Sequence, residues 1–348
     1  MNFAVKKVMA GIFASGLVFG ALVSHGQMIN GAGASFPAPA YQKWIAAYSK
    51  ETGEKINYQS VGSGAGIAQI KAKTVDFGAS DEPLTKEAQD KDGLFQFPML
   101  MGAIVMVVNV PGVEAGKLKL SGELVADIFL ENVKKWNDPT IVSLNPDLKL
   151  PDMDIIVVHR ADASGTTWNF TNYLAKVSKA WEKGPGCANQ IAWPCGLGGY
   201  TNAGVAQNVK KQRGSIGYVE SAYAFENKMA YTQMKNADGK FVMPEVSSFQ
   251  AAASNADWSK APGLYMVLTN QPGDKSWPMM AATYIIIYKE QKDAATAAKI
   301  LKFFDWAYSK GTPIASKLDY IPMPENVTDL VKKSWKSEIK AGGKPVVQ

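Results

Sequence analysis

Ala103-Ile104-Val105-Met106-Val107-Val108-Asn109-Val110 is an apolar run interrupted by a single asparagine and closed by Pro111-Gly112. A run of that length ended by a turn signal reads as a buried strand. Ala282-Thr283-Tyr284-Ile285-Ile286-Ile287-Tyr288 repeats the pattern near the other end of the chain. Around these two stretches, strand-like and helix-like segments alternate. The sequence therefore predicts an α/β protein with largely parallel sheets. If the two buried strands are crossings between lobes, each lobe is built from discontinuous sequence. Lobe I then takes residues 27–109 plus 284–348, lobe II takes 110–283, and a ligand lies between them.

The flanking segments fit this plan. Tyr41, Trp44, Ile45 and Tyr48 stand at i, i+3, i+4 and i+7, predicting a helix from about Pro37 to Lys50. Pro37 suits its first turn and Ser35 is a candidate cap. Residues 55–60 read as a strand, 65–72 as a short helix and 75–79 as a strand. Ile155 to His159 reads as another strand. The helix after it has an apolar face of Phe170, Tyr173, Leu174 and Val177. A long helix spans about 293–309, with Gly311 and Pro313 as its stop.

Length and composition are those of a folded protein. The chain has 348 residues, 47% hydrophobic and 20% charged, room for two domains. Its net charge is +6, to which Lys6 and Lys7 contribute without an acidic neighbour. The other Lys and Arg are spread out, so no basic block marks a nucleic-acid groove. Met1 to Lys7 is short and positive, Val8 to Val23 is apolar, and Ser24-His25-Gly26 puts small residues at −3 and −1. That is the layout of a cleaved secretory signal over residues 1–26. No cysteine lies there to carry a lipid. Cys187 and Cys195 are the chain's two cysteines. In an exported protein, a pair closing a short loop predicts a disulfide rather than a metal site.

Four segments deliver small and hydroxyl residues from a strand or turn into a helix start. They are Gly31 to Pro37 (GAGASFP), Val61 to Gly66 (VGSGAG), Ala79 to Pro83 (ASDEP) and His159 to Thr167 (HRADASGTT). Glycine allows close backbone approach, a helix start offers free N–H groups, and Ser and Thr add hydroxyl donors. Together these suit an oxyanion. None reads Gly-x-x-x-x-Gly-Lys followed by Ser or Thr, so a nucleotide P-loop is excluded.

The ordered set GAGASFPAP from Gly31, the Gly62-Ser63-Gly64 turn, VDFGASD from Val75, RADASGT from Arg160 and GSIGYVE from Gly214 resembles one family. So do LFQFP at Leu94 and FFDWAY at Phe303. That family is the phosphate-binding proteins of the bacterial phosphate ABC importer, and the likeness covers essentially the whole chain after residue 26. It implies a type II periplasmic-binding-protein fold, with two mixed, mostly parallel sheets flanked by helices and a ligand cleft between the lobes. It implies a monomer in the periplasm that binds inorganic phosphate without cofactor or metal. The implied membrane partners are two permease and two ATPase subunits.

Carried over position by position, the resemblance makes Ser35, Ser63, Ser164 and Thr166 the ligand hydroxyls. Phe36 and Gly165 supply backbone N–H groups, Arg160 meets the anion, and Asp162 holds Arg160. Asp81 is the one acceptor. Dibasic phosphate can donate its proton to a carboxylate and sulfate cannot. A site built around such a bond typically rejects the analogue lacking it by about 10⁴–10⁵. Ser35 stands where the family often has Thr, the Ser63 turn has one serine where two are common, and His159 precedes Arg160.

Two other readings compete. An exported phosphatase would use the same oxyanion loops, yet after residue 26 the chain has one histidine, His159, and no Gly-x-Ser-x-Gly elbow. A binding protein for another oxyanion would have no use for Asp81.

Overall fold

The computed structural model describes residues 28–347, and the export signal expected over residues 1–26 lies outside them. Strand β1 (Ile29–Gly33), helix α1 (Ala38–Thr52), strand β2 (Ile56–Ser60), helix α2 (Ser63–Lys71) and strand β3 (Phe77–Ser80) open the fold. β1 lies between β2 and β3, parallel to both. Parallel neighbours need a crossover, and the two helices supply it. α1 buries Tyr41, Trp44 and Tyr48, the face that the spacing predicts. Its cap residue is Pro37, with no side-chain cap bond. Ser35 is therefore not the cap; its hydroxyl is engaged across the cleft.

Helix α3 (Lys86–Asp92) leads into β4 (Leu94–Asn109), then β5 (Lys119–Leu120), α4 (Gly122–Phe129) and α5 (Pro139–Leu144). A second strand–helix series follows: β6 (Ile156–Arg160), α6 (Gly165–Val177), α7 (Lys179–Lys183), β7 (Leu197–Gly199), α8 (Thr201–Lys211) and β8 (Ser215–Glu220). After α9 (Ser221–Glu226) come β9 (Ala230–Tyr231), β10 (Gln233–Lys235), β11 (Phe241–Val242) and α10 (Val246–Ala253). The chain returns through β12 (Met280–Tyr288), α11 (Ala294–Ser309), α12 (Thr312–Ser316), β13 (Ile321–Pro322) and α13 (Glu325–Glu338). Gly311 and Pro313 end α11 as expected, and they also start α12.

The main sheet runs β2-β1-β3-β12-β4-β8-β6-β7, with β13 and β9 alongside β4. Its two ends are parallel and its centre is antiparallel. β4 joins the ends. Its 16 residues are twice the run quoted above, because pairing begins at Leu94. Residues 94–103 pair with β12, and residues 104–109 pair with β8. The partner changes between Ala103 and Ile104, so the two expected sheets form one path through a shared strand. Pro98 lacks an N–H, and the β12 register shifts next to it, between Thr283 and Tyr284.

Aromatic packing fills both ends of the sheet. Phe304 meets Phe77 and Phe97 edge-on, and Trp335 closes on Phe97. At the other end, Phe170 stacks on Tyr218 and meets Phe129 edge-on.

The expected disulfide is not formed: Cys187 and Cys195 are free thiols. The sulfurs are held by different elements. Cys187 Sγ lies 3.7 Å from Trp168 O on α6, and Cys195 Sγ lies 3.8 Å from Phe129 O on α4. The loop between them folds against both helices rather than back on itself.

Candidate anion-binding site

The candidate residues leave the C-terminal ends of parallel strands, where open α/β sheets bind ligands. Ser35 and Phe36 follow β1, Ser63 opens α2 after β2, and Asp81 follows β3. Arg160 ends β6, while Ser164 caps α6 and Gly165 and Thr166 begin it. β1, β2 and β3 sit at one end of the sheet and β6 at the other, so the site is made by the two ends closing on each other.

That closure is direct. Gly64 N–H donates to Ala163 O at 2.9 Å, and Asn169 Nδ2 donates to Asp81 O at 2.8 Å. Within the β2–β3 end itself, Asp81 N–H donates to Ser63 Oγ at 3.2 Å. A Cβ on Gly165 would stand 2.6 Å from Ser63 Oγ and 2.8 Å from Asp81 Cβ. Gly62 combines φ of 96° with a Cβ position 2.3 Å from Asp162 Oδ2. Neither site has room for a side chain. Ser35, Phe36, Ser63, Asp81, Arg160, Ser164 and Thr166 are all buried, none more than 3% exposed.

Asp162 grips Arg160 in a fork. Arg160 Nε donates to Asp162 Oδ1 at 2.7 Å and Nη2 donates to Oδ2. Thr201 N–H adds a bond to Oδ1 at 3.1 Å. Burial alone would raise the Asp162 pKa, yet the bonds and charge of Arg160 hold it below the usual carboxylate value. Tyr218 OH accepts from Arg160 N–H at 3.2 Å and lies 2.6 Å from Thr167 Oγ1, fixing β6 to α6.

Six buried side-chain atoms have no hydrogen-bond partner among the described residues, and four of them are Arg160 Nη1, Asp81 Oδ1, Tyr41 OH and Thr283 Oγ1. Burial pushes the Asp81 carboxyl up to about 7, against the opposing pull of the Thr283 hydroxyl, the Arg160 charge and the Ser63 and Thr166 hydroxyls. At the start of α6, Ser164 Oγ accepts from Thr167 N–H at 3.1 Å and Ser164 N–H donates to Asn189 O at 2.8 Å. The N–H groups of Gly165 and Thr166 are the first of the helix and lack intrahelical acceptors. Donors from a helix start, hydroxyls, one guanidinium and one carboxyl can hold a small oxyanion.

Sequence reasoning missed several residues that hold this site. Asn202 bonds to Ser35 Oγ and Thr166 Oγ1. Tyr223 OH donates to Ser35 O at 2.6 Å, and Tyr320 OH lies 2.6 Å from Phe36 O and 2.9 Å from Glu220 Oε2. Asn202 had a signal: Gly198-Gly199-Tyr200-Thr201-Asn202 is a fifth strand-to-helix start of the same kind. Tyr223 and Tyr320 had none, since each is one aromatic among many. His159 stacks on Trp193 with centroids 4.6 Å apart, so its ring is part of the packing. Among the described residues no group of three or more His, Cys, Asp and Glu could hold a metal ion.

The PBP superfamily domain matches residues 22–310. The chain is 52% identical over 312 residues to "Phosphate-binding protein PstS" of Haemophilus influenzae, covering 90% of this chain and 93% of that one. It is 34% identical over 328 residues to the protein of the same name from Methanocaldococcus jannaschii, covering 87% and 84%. Two solved structures share the fold. The phosphate-binding protein of Stenotrophomonas maltophilia has a TM-score of 0.71 at 18% identity, covering 92% of this chain and 97% of that one. The phosphate-bound periplasmic protein PfluDING has a TM-score of 0.74 at 19% identity, covering 91% and 96%. The two-lobed α/β binding-protein fold expected from the sequence is the fold of these neighbours. The chain belongs to the PBP superfamily and, within it, to the family of the PstS phosphate-binding proteins.

Proposed function

We infer that this chain binds inorganic phosphate between its two lobes in the periplasm and hands it to the membrane subunits of an ABC importer. The relatives named above support the ligand, and the transport role is what the family resemblance implies. Within the chain, one observation carries the reading: Arg160 Nη1 and Asp81 Oδ1 are a buried donor and a buried acceptor, both without partners among the described residues. An unpartnered buried polar group costs about 1–3 kcal/mol, and more when charged. An oxyanion that also carries a proton satisfies both groups at once. Dibasic phosphate does so; sulfate answers Arg160 and leaves Asp81 facing an anion.

In this reading Ser35, Phe36, Ser63 and Asp81 act from lobe I, and Arg160, Ser164, Gly165 and Thr166 act from lobe II. Asp162 aims Arg160. The division into 27–109 plus 284–348 and 110–283 draws support from the partner change in β4, which falls between Ala103 and Ile104, six residues before the 109/110 boundary, while residues 280–283 of β12 pair with the lobe I half of β4. Opening the lobes releases the anion, since most of its charge meets hydroxyls and N–H dipoles rather than fixed cations. Residues 1–26 act as the export signal.

Calorimetry on purified protein, with phosphate and sulfate in turn, tests this. The expected result is one phosphate per chain and no heat from sulfate at pH 8.5, where Asp81 is ionised. A protein that ignores phosphate sinks the reading. Turnover of a phosphate ester that survives loss of His159 and Asp81 would expose a contaminant; turnover that needs them would make the chain an enzyme.

A further inference from the structure

We propose that Asn202 is a positioning residue of this pocket: its amide occupies the acceptor sides of the Ser35 and Thr166 hydroxyls and so turns their hydrogens toward the anion. The inference rests on the phosphate-binding reading above. Asn202 is fully buried near the start of α8. Its Oδ1 accepts from Glu220 N–H at 3.0 Å. A backbone N–H can only donate, so the amide oxygen must face Glu220 and the NH₂ must face the other way. The two hydrogens of that NH₂ are then both committed. One goes to Ser35 Oγ at 2.9 Å and the other to Thr166 Oγ1 at 3.2 Å.

A hydroxyl has one hydrogen and two acceptor positions. Ser35 Oγ receives a second bond, from Asn202 N–H at 3.0 Å, so both of its acceptor positions are filled. Its hydrogen has to point away from Asn202. Ser35 follows β1 and Thr166 belongs to α6, so one amide sets hydroxyls contributed from both sides of the cleft. The turn that presents Asn202 is itself held under strain. Thr201 has φ of 60°, rare for a β-branched residue, and its N–H is tied to Asp162 Oδ1. Asp162 is also the clamp of Arg160, so the turn couples the hydroxyl pair to the guanidinium. Donors oriented in advance need no rearrangement when an anion enters, which raises affinity.

The test is a double-mutant cycle read by calorimetry with inorganic phosphate, with thermal unfolding of each ligand-free protein as a control. Asn202→Leu keeps the shape and removes both donated bonds. It is expected to weaken phosphate binding by at least ~10-fold in the otherwise native chain. In a Ser35→Ala, Thr166→Val background, already weakened, the same substitution is expected to change affinity by less than about threefold. Equal losses in both backgrounds overturn the proposal, because Asn202 would then act through the fold and not through the hydroxyls. If the leucine variant does not fold, Asn202→Ala goes through the same cycle with the same two outcomes. Absence of phosphate binding by the unmutated protein overturns the reading beneath the proposal, and is seen before any variant is made.

Discussion

Asp162 takes Nε and Nη2 of Arg160, and Nη1 is left without a partner. The pair is almost sealed, with side-chain exposures of 1% for Arg160 and 11% for Asp162. Asp162 therefore neutralises the guanidinium and aims it at the same time. Removing one member of a buried pair strands the other, at a typical cost of roughly 3–5 kcal/mol.

Asp162→Asn should accordingly lower the stability of the ligand-free protein more than it lowers phosphate affinity. The stranded guanidinium loses its counter-ion when the pocket holds none, and a bound anion replaces it. Affinity should stay within about tenfold of the native value, because stronger attraction to the anion offsets poorer aim. Thermal unfolding with and without phosphate, beside calorimetry, checks this. A loss of a hundredfold or more in affinity would mean that aim dominates.

Asp81→Asn should admit sulfate. The carboxylate that faces a second anion becomes an amide that can donate to it, so sulfate affinity should rise by at least ~10³, within the range that one such group controls. The native protein should show the same trend with pH. Asp81 titrates near 7, so below that value its protonated carboxyl can donate to sulfate. Weak sulfate binding at pH 5 that vanishes by pH 8.5 is expected. Sulfate exclusion that is flat across this range would remove Asp81 as the discriminating group.

Burial raises two carboxyls at the cleft, Asp81 to about 7 and Glu220 to about 8. Between the unfolded value and the folded value, the folded state binds a proton that the unfolded state has released. Stability from such a group is fully present below the unfolded pKa and falls as pH rises through the folded one. Ligand-free protein should therefore lose a few kcal/mol between about pH 5 and pH 8, a sum of the order that such shifts carry. Asp81→Asn should flatten the part ending near 7 and Glu220→Gln the part ending near 8. Denaturant titrations at several pH values measure both, and parallel curves for the native and variant proteins would refute the assignment.

The legible parts of this molecule are those with a local signal. Tyr41, Trp44 and Tyr48 gave α1 by spacing, and the apolar runs gave β4 and β12, because burial on both faces leaves no polar positions. The run could not show that β4 starts at Leu94, since Gln96 and Pro98 break the pattern; Gln96 is accommodated by bonds to Leu84, 12 positions away, and to Gly263, 167 positions away. Spacing also predicts a disulfide, and in the structure Cys187 and Cys195 are free thiols. Spacing describes the loop between Cys187 and Cys195 but not the two helices that hold the sulfurs apart. At the site, Ser35, Ser63, Asp81, Arg160 and the start of α6 stand in short motifs and could be named. Tyr223 and Tyr320 act through contacts with residues 188 and 284 positions away. Only folding brings those pairs together.

Gly165 gives the sharpest test of closure. Its backbone is not in the left-handed region, and it is the first residue of α6, so the helix itself would accept alanine. The objection comes from across the cleft, where a methyl would press on Ser63 Oγ at 2.6 Å, Glu82 N at 2.7 Å and Asp81 Cβ at 2.8 Å. Two of these contacts are with backbone or near-backbone atoms that cannot swing away. Opening the lobes relieves the clash, and closing them restores it. Gly165→Ala should therefore shift the ligand-free protein toward the open form and weaken phosphate by about 10- to 100-fold, matching the roughly 1–3 kcal/mol typical of overpacking. Small-angle scattering with saturating phosphate should show a particle more extended than the native complex. If the variant instead binds phosphate normally and closes fully, the tight approach of α6 to Asp81 is not part of the bound state.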